Sequence, residues 1–143
     1  QGTMNNYIWG NNRIQNYETI CGGSGASAHQ NGCSAVQTHM TNTRLTDPEV
    51  LEWRFPVRLE TFKIRKNSGG NGKYKGGEGV DRQMRFLEPM TVNMIAGHRI
   101  EPPYGMAGGE PGAVGENYVI HSDQKVTNIG IKGKNEGEKN RHK

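Results

Sequence analysis

The chain has 143 residues, the size of one domain or of a piece of a larger protein. Only 31% of them are hydrophobic and 21 are Gly, about twice ordinary usage, which disfavours long helices and a large self-sufficient core. Of the net charge of +4, +3 lies in residues 132–143, so the body is nearly neutral and lacks the footprint of a phosphate-backbone binder. No apolar run approaches the roughly 18 residues of a membrane span, and no charged-then-apolar leader is present. A start at Gln1 rather than Met is read as a sign of processing or of a fragment. Nucleic acid and membranes are therefore not expected partners.

In chain order, Tyr7, Ile8 and Trp9 are strand-like between turn-forming Asn residues. Residues 13–20 alternate, with Ile14, Asn16, Glu18 and Ile20 on one side; CGGSG at 21–25 then forms a loop. Residues 34–43 read as extended or irregular. A short helix is predicted over 46–53: Asp47 is a natural N-cap, Pro48 suits the first helical position, and Pro56 ends it. Residues 55–65 form a strand whose apolar parity shifts near Glu60 and Thr61, which predicts a bulge. Residues 67–79 read as a loop or hairpin connection. Strands follow at 80–87 and around Met90, Val92 and Met94. A long irregular segment spans 102–115, and a last hairpin joins 117–121 to 125–131. Residues 132–143 are expected to be a charged, disordered tail. The predicted fold is mainly β with one short helix and Gly-rich loops, over 1–131, as part of a larger subunit.

Several familiar chemistries are tested and fail on spacing. Gly72-Lys73 is followed by Tyr74, so 67–79 is no phosphate loop. Gly22-Gly23-Ser24-Gly25-Ala26 has Ala where a nucleophile elbow needs Gly. His29, His39, His98, His121 and His142 form no local metal-ligand spacing, so no metal is assigned. Cys21 and Cys33 match neither CxxC nor zinc-finger spacing and read as reduced thiols of a cytosolic protein. What remains is polar chemistry in the first third. Glu18 ends a strand beside a loop of backbone amides and is the candidate acid/base; His39 lies among Thr38, Thr41 and Asn42. Amides around Gly23, Ser24 and Gly25 suit an oxyanion or a carboxylate.

QGTMNN at 1–6, YETICGGSGA at 17–26, THMTNTRLTDPEVLEWRFPVRLE at 38–60, GGNGKYKGGEGV at 69–80, FLEPMTV at 86–92 and PPYGMAGGEPGA at 102–113 resemble the C-terminal region of the hydantoinase B/5-oxoprolinase family. The resemblance runs to about Gly130. It implies a B-type part of an ATP-dependent cyclic-amide hydrolase. ATP and Mg are expected on a partner A-type subunit or domain that phosphorylates the amide oxygen; the B-type part then supports attack by water. On that reading Glu18 and His39 act as acid/base or water-orienting groups, and Thr19, Gly23, Ser24, Gly25 and Asn42 contact the substrate. The setting implied is cytoplasmic and hetero-oligomeric. The His/Asp-rich N-terminal portion of the family is absent, and IKGKNEGEKNRHK departs from its pattern as a foreign or frameshifted tail would. The alternatives are a non-catalytic remnant or docking module, with Trp9, Trp53 and Phe55 as anchors, and a subunit of a related ketone carboxylase.

Overall fold

A computed structural model describes residues 5–38 and 43–128, together with the backbone of Lys132–Gly137 and Arg141–His142. The chain is mainly β, with a single helix among the described residues. The first sheet contains β1 (Asn5–Gly10), β2 (Gln15–Ile20), β5 (Met90–Ile95) and β8 (Lys132–Gly137), in the order β2-β1-β5-β8. The second contains β3 (Val57–Ile64), β4 (Val80–Phe86), β6 (Tyr118–Ile120), β7 (Val126–Asn128) and β9 (Arg141–His142), in the order β3-β4-β9-β6-β7. Every pairing in both sheets is antiparallel.

The two sheets bury their apolar faces in one cluster. Tyr7 and Trp9 of β1, Met90, Val92 and Met94 of β5, Val57 of β3, and Met84 and Phe86 of β4 belong to it. The period of two along each strand sends these residues inward together. Trp9 is the centrepiece, edge-on to Phe55 at 5.1 Å and tilted against Phe86 at 5.6 Å between ring centroids.

The helix α1 (Pro48–Arg54) forms where the capping signals predict it. Asp47 accepts from the amides of Glu49 at 2.9 Å and Val50 at 3.5 Å, and Pro48 opens the first turn. Of its apolar side only Leu51 is buried; Trp53 is 86% exposed. Among the three expected anchors, then, Trp9 is core, Phe55 packs against the core, and Trp53 alone faces outward. Glu52 turns back to accept from the Leu59 amide at 2.8 Å, beside the β3 irregularity between Leu59 and Thr61. Asp47→Ala removes the cap, and thermal unfolding should show a loss of about 1 kcal/mol.

Two stretches of backbone in the charged tail pair as strands. The backbone of Lys132–Gly137 runs antiparallel to β5, from Met90↔Gly137 to Ile95↔Lys132, and Arg141–His142 pairs with β4 and β6. Backbone groups at an open sheet edge accept a strand whatever its side chains, a pairing that charge patterning alone does not register. No helix among the described residues is long and apolar enough to cross a membrane.

Candidate functional site

At one end of the two sheets the Gly-rich segments enclose a cavity of about 1050 Å³. Its floor includes Tyr7, Arg82, Met84 and Met94, and its walls come from 20–28, 68–77 and 97–118. Strand register builds the floor: Tyr7 lies opposite Glu18 on β2 and opposite Met94 on β5. All three are buried on the face turned toward β4, where Arg82 shares its parity with Met84 and Phe86.

Arg82 and Glu18 form an ion pair across the two sheets, with Arg82 Nη1 donating to Glu18 Oε2 at 2.7 Å. The two side chains are 7% and 3% exposed, so little water screens the pair. Glu18 keeps a second oxygen, Oε1, buried with no hydrogen-bond partner among the described residues. Burial pushes the Tyr7 phenol far above its usual range; Arg82 opposes that shift and Glu18 adds to it. Burial likewise raises the Cys21 thiol, which lines the cavity. Cys21 and Cys33 are both free thiols, the first buried and the second exposed.

The walls are loops locked to each other through backbone. The Ser24 amide donates to Cys33 O at 2.9 Å, and the Ser24 hydroxyl accepts from the Cys33 amide at 2.7 Å. The Gly77 amide donates to Ser24 O at 2.8 Å, and the Gly32 amide to Lys75 O at 2.8 Å. Gly77 is required here: a Cβ at this position runs into the Cys33 carbonyl. These bonds occupy the Ser24 amide and hydroxyl, so the wall is first a packed scaffold. The 67–79 loop is built the same way. Its Gly76 amide donates to Gly70 O at 2.9 Å, so this amide braces the loop rather than cradling a phosphate.

Among the sequence candidates, Gly23, Ser24 and Gly25 line the cavity. Glu18 stands one side chain behind it, reaching it through Arg82. Thr19 points its hydroxyl to Asn6 Oδ1 at 3.4 Å and is not part of the lining. His39 and Asn42 lie outside the described residues. Among the described residues no three His, Cys, Asp or Glu side chains gather as a metal-ligand set.

Sequence reasoning missed Arg82, Arg65, Arg99 and His98, which also line the cavity. A signal existed for Arg82, a charge on the inward parity of an otherwise apolar strand. For the others there was none, because they sit at a strand end or in irregular backbone. His98 adopts a left-handed φ of 51°, and its Nδ1 lies 3.2 Å from Glu101 O.

The Hydantoinase B/oxoprolinase family profile matches residues 1–142. The chain belongs to this family. It is 48% identical over 135 residues to 5-oxoprolinase 1 of Arabidopsis thaliana, covering 94% of this chain and 10% of that protein. Two solved structures share its fold. A nucleotide-free acetone carboxylase superposes with a TM-score of 0.80 at 19% identity, over 96% of this chain and 24% of the other. The ATP-dependent caprolactamase of Pseudomonas jessenii gives 0.72 at 20% identity, over 96% and 27%. The chain thus spans about a tenth of the plant relative and about a quarter of each structural neighbour.

Proposed function

We propose that this chain is a portion of the B-type part of an ATP-dependent cyclic-amide hydrolase of the 5-oxoprolinase type. The observation that carries the reading is the cavity floor: a guanidinium, Arg82, facing the space and held by a buried carboxylate, Glu18, in a member of this family. A fixed cation in a partly dry site stabilises the negative charge carried on the phosphorylated amide oxygen as water adds, without reorganising. Glu18 is then a positioning residue: it fixes the direction of Arg82 across the two sheets. The cavity exceeds what one small ring fills, which leaves room for a contribution from another domain. ATP and Mg belong, in this proposal, to an A-type partner; when bound there they supply the phosphoryl group that activates the amide.

The test uses the complete protein that carries this chain, with ATP and 5-oxoproline, following glutamate release. Arg82→Lys keeps the charge but loses the fork, and should cut kcat about 100-fold with KM little changed. Glu18→Gln should cut kcat as well, because it loosens the hold on Arg82. Unchanged turnover in both variants removes this floor from the mechanism, and turnover that requires bicarbonate assigns the protein to the carboxylase side of the group.

A further inference from the structure

The cavity carries a second cationic feature that the floor does not use. Each carboxylate lining it has a local partner. Asp81 faces Lys63 at 3.5 Å, Glu110 accepts from Asn71 Nδ2 at 3.0 Å, and Glu116 accepts from the Tyr118 hydroxyl. Of the three lining arginines, Arg82 is paired with Glu18. Arg65 and Arg99 form no ion pair among the described residues. Instead they are held by neutral oxygens around one short segment. Arg65 Nη1 donates to Val114 O at 2.7 Å; Arg99 donates from Nη1 to Gly97 O at 2.8 Å and from Nη2 to Asn117 Oδ1 at 3.3 Å. Gly115 lies against the Arg99 guanidinium, where any Cβ would collide with it. The Arg99 Nε–H is buried and has no acceptor among the described residues.

Two like charges brought together on neutral partners repel, and a buried N–H without an acceptor costs stability. Burial, and then the field of Arg65, pull the Arg99 guanidinium below its ordinary value. A proton is not lost from a guanidinium near neutral pH, so the arrangement calls for an anion instead. We propose that Arg65 and Arg99 form an oxyanion subsite on the cavity wall, taking a carboxylate or a phosphoryl group of a small ligand. The planar forks suit either, because both present oxygens that accept paired N–H donors. This subsite stands independently of the hydrolase reading, since it is defined by binding and not by turnover.

The experiment is calorimetric titration of the complete protein with inorganic phosphate and, in parallel, with acetate. Arg65→Gln and Arg99→Gln should each weaken binding of the preferred anion at least about 10-fold. Arg58→Gln, an exposed arginine outside the cavity, should leave it unchanged. Arg99→Lys, which keeps the charge, should recover part of the loss, and matching thermal midpoints exclude unfolding as the cause. Loss of the phosphate signal identifies a phosphoryl subsite; loss of the acetate signal identifies a carboxylate subsite. Binding of both anions that is unaffected by Arg65→Gln and Arg99→Gln in folded protein, or no binding of either, overturns the proposal.

Discussion

Glu18→Ala should destabilise the protein by about 3–5 kcal/mol, because it strands the Arg82 guanidinium between two sheets with no counter-charge. The wild-type pair is itself a costly arrangement: two ions are withdrawn from water, and one carboxylate oxygen has no hydrogen-bond partner among the described residues. Replacing both partners, Glu18→Leu with Arg82→Met, should therefore recover most of the loss. Urea unfolding followed by circular dichroism reads both variants. A double variant as unstable as Glu18→Ala would mean that the pair has a net stabilising role beyond charge compensation. A double variant near wild-type stability that has lost turnover would mean that the pair is kept for the site and not for the fold. That second pattern is the expected one.

Trp9→Ala should cost a similar amount, about 3–5 kcal/mol, by opening a cavity between the sheets. Trp9 is 1% exposed and touches an aromatic ring from the end of α1 and another from β4, so neighbours on separate elements must all move to fill the space. Trp9→Phe keeps most of the ring volume and should cost markedly less. Its indole N–H has no partner among the described residues, so Phe loses no hydrogen bond seen there. The same measurement separates core from surface: Trp53→Ala, at an 86% exposed position, should change stability little. Equal losses at Trp9 and Trp53 would contradict this division.

Much of the fold was legible because its signals are local. Asp47-Pro48 specifies a helix start through cap chemistry and a fixed φ, and the helix begins there. The parity shift near Glu60 corresponds to the irregularity between Leu59 and Thr61. The alternation Val80, Met84, Phe86 yields the inner face of β4. The site was legible only in part. Gly23, Ser24 and Gly25 stand out in the sequence and line the cavity, yet the Ser24 amide and hydroxyl serve the loop itself. Glu18 stands out by its place at a strand end, and its consequence comes from a residue 64 positions away.

The sequence by itself determined the mainly β character, the short helix at 48–54 and its cap, the strand parities and the family, since each rests on residues close in the chain or on ordered motifs along it. Only the tertiary structure decided that Arg82 meets Glu18, that Trp9 is buried while Trp53 is exposed, that the 132–137 backbone takes the free edge of β5, and that Arg65 and Arg99 converge on Val114–Asn117. The reason is physical. Caps, turns and strand parity follow from local sterics and hydrogen bonds, whereas ion pairing and burial depend on which distant surfaces the sheets bring together.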